Sequence, residues 1–235
     1  MARLWITTVI LGLALAPLTA CQPPDAQRPE AQPSDPLTTT DPTSPPAPNT
    51  PGKDADGLVI PGQRVGPVTA QTSRADLVEL YGEAALDDRP IFLGEGTTEL
   101  GTVVNADSDQ QFAVVWDDAA QTRPRLIKDF GPAWQIPEGL GVGAPYAAVE
   151  AALGNFEFYG FAWDYGGTIV LDGTGLSQYD GELWLRLAPS DEAVAAHLDA
   201  YHAVMGDELF VNTNPNLAVL DLSVYEMVVA IKPEP

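Results

Sequence analysis

The chain is expected to fold as an α+β domain built from tandem helix-plus-antiparallel-meander units. That expectation rests on two related windows and on the segments that close the second of them. The first window holds Val65-Gly66-Pro67 and then Thr72-Ser73-Arg74-Ala75-Asp76-Leu77-Val78-Glu79-Leu80-Tyr81-Gly82. The second holds Leu140-Gly141-Val142-Gly143 and then Ala144-Pro145 through Ala152-Leu153-Gly154. Each reads as a short helix ending on glycine, the residue a left-handed C-terminal cap prefers. Thr72 or Ser73 is the N-cap of the first, and Pro145 takes the first position of the second. Leu77 and Val149 stand at the same place relative to the closing glycine, as do Tyr81 and Leu153, so each helix carries a one-sided apolar stripe. Strand-like sequence follows each: Leu100–Asn105, Gln111–Trp116 and Arg123–Asp129 after the first, Glu157–Asp164, Thr168–Leu171 and Glu182–Leu187 after the second. Asp191–Met205 reads as an amphipathic helix with Val194, Leu198, Tyr201 and Met205 on one face. Leu209–Val211 and Ser223–Ile231 read as closing strands. Runs of strands with segregated helices define the α+β class.

The globular part is expected over residues 57–235, as units 62–136 and 137–235 of one domain. It carries 27 Asp/Glu against 8 Lys/Arg, a net charge of −19. Such acidity argues against nucleic acid and against adsorption to anionic headgroups. Residues 21–56 read differently. From Gln22 to Asp56 there are ten prolines in 35 residues, no hydrophobic periodicity, and one aliphatic residue larger than alanine, Leu37. A segment of that composition is expected to be a disordered linker, because it buries too little surface to offset its ordering entropy.

Residues 1–20 carry Arg3, an apolar run from Leu4 to Ala16, and small residues before Cys21, which together read as a secretory signal peptide. The apolar run is too short for a transmembrane helix, which needs about 20 residues. Leu18-Thr19-Ala20-Cys21 resembles the bacterial lipobox. That resemblance implies cleavage before Cys21, acyl chains such as palmitate on its sulfur and its amine, and a lipoprotein held to a membrane of the cell envelope by its lipid anchor. Two or more acyl chains anchor stably where one does not. Gln22 is not Asp, so in a Gram-negative host the expected address is the cell outer membrane, facing the periplasm. Cys21 is the sole cysteine. With it acylated, disulfides, thiolate chemistry and cysteine metal sites are excluded from the folded part.

The densest feature of the domain is Phe156–Gly167, which packs six aromatics into twelve residues. The preferred reading is a core strand, with Phe156, Phe158 and, after a shift at Gly160, Phe161 and Trp163 facing inward. Asp164 then caps the Gly166-Gly167 turn with its carboxylate. The other reading is an aromatic platform in which Tyr159, Trp163, Asp164 and Tyr165 bind an envelope protein or a glycan. Other chemistry finds little support. The pairs Asp87-Asp88, Asp117-Asp118 and Asp107/Asp109 are unremarkable among 33 acids, and neighbours on a strand point to opposite faces. Asn105-Ala106-Asp107-Ser108-Asp109 lacks the glycine and distal glutamate of a calcium loop. His197 and His202 lie about 140° apart on a helix, which is unsuited to chelation. No catalytic residue, metal site or cofactor is expected, and the chain reads as a non-enzyme that binds. A carboxylate-dependent glycan hydrolase is the alternative, and it requires two acids about 5 to 9.5 Å apart in a cleft.

Two resemblances add to this. The helix ending in Leu-Gly and followed by an antiparallel meander is similar, over two short windows, to the small envelope module of the BamE/SmpA lipoproteins and the β-lactamase inhibitor protein. Over most of residues 60–231, Val65-Gly66-Pro67-Val68-Thr69, Gly94-Glu95-Gly96, Gly160-Phe161-Ala162-Trp163-Asp164-Tyr165-Gly166-Gly167 and Val224-Tyr225-Glu226-Met227 resemble an uncharacterised family of bacterial secreted proteins and lipoproteins. That resemblance implies an envelope location and this fold, and assigns no activity.

Overall fold

A computed structural model describes residues 56–232, which lie within one compact unit. Cys21, the signal segment and the linker up to residue 55 lie outside the described residues. The fold is α+β. A small antiparallel sheet opens it: β1 (Val59–Ile60), β2 (Arg64–Val65) and β3 (Val68–Thr69). Helix α1 (Arg74–Tyr81) follows, and Ser73 is its N-cap. The Ser73 side chain takes the Asp76 amide while the Asp76 carboxylate takes the Ser73 amide, a reciprocal capping box. Then come β4 (Leu86–Gly94), β5 (Thr97–Val104), β6 (Phe112–Trp116) and β7 (Pro124–Lys128). Helix α2 (Tyr146–Leu153) has Pro145 as its N-cap rather than its first helical residue, and ends at Gly154 with φ 75°. The rest is β8 (Glu157–Tyr159), β9 (Ile169–Val170), β10 (Leu183–Pro189), α3 (Asp191–Ala196), α4 (Leu198–His202), β11 (Leu209–Val211) and β12 (Leu222–Ala230).

The main sheet has six strands in the order β10-β12-β7-β6-β5-β4, all antiparallel. The last strand in chain order, β12, therefore lies inside the sheet between β10 and β7. A third sheet, β11-β8-β9, stands apart. The four-stranded meander after α1 is joined in one sheet by two strands from the second window, while β8 and β9 pair elsewhere. One face of the large sheet holds the core. Phe112, Val114, Ile127, Leu185, Met227 and Val229 are fully buried there, in one cluster with Leu77 of α1, Val149 of α2 and Phe158 of β8.

Two expectations are corrected here. Strand-like sequence is expected only from Leu100 onward after the first helix, and no strand is expected at Leu86–Gly94. It is the edge strand β4, and an edge tolerates Pro90 because no ladder hydrogen bond is asked of its outer side. The single helix over Asp191–Met205 is two short helices, broken at His197 (φ −132°, ψ 48°). The break rotates the expected stripe: Leu198 and Met205 are exposed, and Val204 and Ala193 are buried instead.

The second face of the large sheet is covered by part of the sheet itself. Strands β4 and β7 are separated by β5 and β6, which in a flat sheet puts them about 14 Å apart. Yet Lys128 Nζ at the end of β7 donates to the Phe92 carbonyl of β4 at 2.7 Å. The end of the β4–β5 hairpin thus curls over the second face. Ile91, Val103, Ala113 and Val115 are buried beneath it, with Leu93 and Leu126 packed alongside. Gly101 permits the curl: a Cβ there would lie 2.6 Å from Ile91 Cγ1.

A candidate ligand cleft

Between the curled hairpin tip and the Tyr159–Thr168 loop lies a cleft of about 880 Å³. Its floor is the second face of β7, β12 and β10. Register places Val228 opposite Trp184 and Glu226 opposite Arg186, with Lys128 one residue beyond the Ile127–Val229 pair. One wall is Phe92, Leu93 and Gly94; the other is formed by Tyr159, Trp163, Asp164, Tyr165 and Tyr225. Two register shifts shape these walls. Phe92 pairs with Thr98 and Gly94 with Thr97, which leaves Leu93 as a bulge. Arg186 pairs with Glu226 and Leu187 with Val224, which leaves Tyr225 unpaired. A bulge re-aims its side chain, and both of these aim theirs at the cleft.

The floor carries a charged triad. Glu226 receives Lys128 Nζ at 3.1 Å and Arg186 Nη1 at 2.8 Å, while Asp129 lies 3.4 Å from Lys128. Lys128 is only 7% exposed. So buried an ammonium persists because the Phe92 carbonyl and two carboxylates surround it. Arg186 Nη1 also donates to the Asp164 carbonyl at 3.0 Å, and the guanidinium lies over the Tyr165 ring, 5.2 Å from its centroid. Its Nε is buried with no hydrogen-bond partner.

The four residues expected to bind, Tyr159, Trp163, Asp164 and Tyr165, all line this cleft. The preferred core-strand reading holds for Phe156, Phe158 and Phe161, which are buried, and is corrected at Trp163, which is 38% exposed. The physical cause is local. β8 ends at Tyr159, and Ala162 adopts φ 70°, a conformation costly for a residue other than glycine, which turns the chain outward before Trp163. The Trp163 ring is then fixed from behind. Its Nε1 donates to the Gly160 carbonyl at 2.8 Å, and it packs edge-on to Tyr159 and Tyr165 with centroids 5.8 and 5.5 Å away. Trp163→Ala is accordingly expected to cost about 1–2 kcal/mol in urea unfolding, against about 3–5 kcal/mol for the fully buried Trp134→Ala. Equal losses for the two would return Trp163 to the core.

Asp164 and the glycines also differ from expectation. The Asp164 carboxylate does not cap the Gly166-Gly167 turn. It accepts the Glu95 amide at 2.5 Å, tying the tip of the β4–β5 hairpin to the opposite wall. The turn closes through its backbone instead, with the Gly166 amide on the Trp163 carbonyl and the Gly167 amide on the Tyr159 carbonyl. Gly167, at φ 76°, is the glycine in the left-handed region; Gly166 is not. The Gly167 carbonyl takes the Leu187 amide at 2.9 Å and Thr168 bridges to Arg186, so the loop occupies the outer edge of β10.

The remaining acid pairs serve structure. Burial pushes the Asp88 carboxyl up, but hydrogen bonds from Thr102 and Arg74 outweigh it and leave it below the usual range. Hydrogen bonds from Thr122 hold Asp118 low, and Asp117 pairs with Arg123 at 3.0 Å. Asp107 and Asp109 are exposed in the β5–β6 turn. Among the described residues no three His, Cys, Asp or Glu side chains converge on a metal position, and no helix is long and apolar enough to cross a membrane. Sequence reasoning missed Phe92, Lys128, Trp184, Arg186 and Glu226 as site residues. One signal was present: Lys128 is the only lysine between Lys53 and Lys232, and it ends a strand that is otherwise apolar but for Arg125. No family model matches this chain, and no curated protein or solved structure does either, so its function is read from this cleft.

Proposed function

We propose that this protein is a non-catalytic lipoprotein of the bacterial cell envelope that binds an envelope ligand in the cleft between the β4–β5 hairpin and the Tyr159–Thr168 loop. The observation that carries the binding reading is the cleft itself. Three large side chains stand open around it, Phe92 at 53% exposure, Tyr225 at 45% and Trp163 at 38%, above a floor with paired charges. Ligand sites combine apolar lining with a few fixed polar groups in this way. The anchoring reading is supported by the lipobox-like Leu18-Thr19-Ala20-Cys21 and by a net charge of −19 from Gly57 onward, which leaves the lipid as the means of holding the protein at a membrane.

Two measurements test the two halves. Cys21→Ser is expected to abolish the acyl mass on the N-terminal peptide and to move the protein out of the detergent phase. A variant that partitions like wild type removes the anchor. For the cleft, purified Cys21→Ser protein, which carries no lipid to hold it, is expected to sediment with isolated cell envelopes, and adding Phe92→Ala/Tyr225→Ala is expected to lower the bound fraction at least about tenfold with the melting temperature nearly unchanged. Unchanged sedimentation removes the cleft from function.

One observation favours a second reading, a carboxylate-dependent glycan hydrolase: Asp129, Asp164 and Glu226 all line the cleft. Each already holds a partner, Lys128, the Glu95 amide, or Lys128 and Arg186 together. Cleavage of a bound oligosaccharide that is lost in a stable Asp164→Asn variant would establish the enzyme instead.

A further inference from the structure

Resting on the cleft reading, we infer that the ligand is an uncharged oligosaccharide, stacked on the Trp163 ring and hydrogen-bonded through its hydroxyls to Arg186 and the flanking carboxylates. The argument starts from charge. The cleft holds two cations, Lys128 and Arg186, and three carboxylates, Asp129, Asp164 and Glu226. They are matched to one another or to backbone, at 3.1 Å for Lys128–Glu226 and 2.8 Å for Arg186–Glu226. No single sign dominates the floor, and the surrounding domain at −19 repels anions. A cationic ligand would meet Lys128 and Arg186. An uncharged ligand fits this balance.

The polar chemistry narrows it further. The floor presents donors and acceptors side by side: the Arg186 guanidinium and the Glu226 carboxylate, 2.8 Å apart and each 16% exposed. A hydroxyl both donates and accepts, so neighbouring hydroxyls on a sugar ring satisfy an arginine and a carboxylate together. The aromatic wall points the same way. The Trp163 N–H is already spent on the Gly160 carbonyl, so the side chain offers a ring face and not a donor. The Tyr225 hydroxyl similarly turns toward the Gly166 carbonyl at 3.5 Å. A pyranose presents an apolar C–H face that stacks on such a ring.

A peptide is served poorly here. The floor strands spend their backbone groups on each other, and the outer edge of β10 is occupied by Gly167 and Thr168. An added strand therefore has no edge to join within the cleft. A polyproline segment relies on side-chain donors for its carbonyls, and Trp163 and Tyr225 have turned theirs inward. The volume of about 880 Å³ lies in the range of small-ligand sites and holds a few sugar rings.

The test titrates purified full-length protein with chitotriose, cellotriose and maltotriose, with trigalacturonate and a proline decamer as charged and peptidic counterparts. Tryptophan fluorescence reports binding, since Trp163 and Trp184 line the cleft. At least one neutral trisaccharide is expected to bind saturably with a Kd below about 1 mM, and Trp163→Ala and Arg186→Lys are each expected to weaken it at least about tenfold, with melting temperatures that show a folded domain. No saturable binding by any of the three overturns the inference. So does binding that Trp163→Ala leaves unchanged. Tighter binding of trigalacturonate or of the proline decamer, lost in Trp163→Ala, also overturns it while leaving the cleft as the binding site. Envelope sedimentation of the lipid-free Cys21→Ser protein that is indifferent to Phe92→Ala/Tyr225→Ala removes the cleft reading itself.

Discussion

Gly167→Ala is expected to destabilise the domain by more than about 4 kcal/mol, most of the stability of a marginally stable domain. Two costs combine. The residue sits at φ 76°, where any side chain is strained. A Cβ there would also lie 1.9 Å from the Leu187 carbonyl oxygen, inside the contact by which the loop is fixed to β10. Backbone on both sides leaves nothing flexible to give way. Gly173→Ala separates the two costs, because Gly173 has φ 74° but open space around its added carbon. It is expected to cost only about 1 kcal/mol. At Gly166 the backbone is unstrained, and a Cβ meets its nearest atoms at 3.1 Å, so alanine there should fall between the two. Urea unfolding of the three variants measures the order. A Gly167→Ala protein as stable as Gly173→Ala would show that the loop is not held against β10 as described.

Glu226→Ala is expected to cost about 3–5 kcal/mol, because it leaves two cations facing each other in a largely buried floor. The loss comes from orphaned charge more than from a missing contact. Replacing all three members together, Lys128→Met, Glu226→Leu and Arg186→Met, removes that penalty and is expected to restore most of the stability while abolishing ligand binding. The cycle is read in urea for stability and by envelope sedimentation in the lipid-free Cys21→Ser background for function. A triple variant less stable than Glu226→Ala would mean that the triad contributes specific hydrogen bonding that apolar packing cannot replace.

Parts of this architecture were readable from neighbouring residues alone. Ser73 with Asp76, and the closing Gly82 and Gly154, mark two helices through local hydrogen bonds and backbone freedom, and both formed where expected. The α+β class followed from the same local patterns. Strand β4 escaped because its polar start and Pro90 imitate a turn, and only the neighbouring β5 makes it a strand. The break at His197 has no sequence mark, and with it Val204 rather than Leu198 is buried. The cleft was half visible. Tyr159, Trp163, Asp164 and Tyr165 are close in sequence and were read together. Their counterparts Phe92, Lys128, Arg186 and Glu226 come from four strands, and they meet only because β12 inserts between β7 and β10 and the hairpin curls. Register of that kind is a long-range property, beyond the reach of a pattern of period two.

The place of β12 has a consequence for the order of assembly. It follows every other strand among the described residues, yet β10 meets β7 only through it. Until residues 222–230 have left the ribosome, the first four strands of the large sheet and β10 remain separate pieces, each with an unsatisfied edge. Their pairing spans distant parts of the sequence: β12 joins β7 through Val229–Ile127 and Ala230–Leu126. Contacts of that range form late and slowly. A nascent chain of this kind keeps its large sheet open until β12 has emerged. That delay leaves two unpaired strand edges to be shielded from neighbours during the wait.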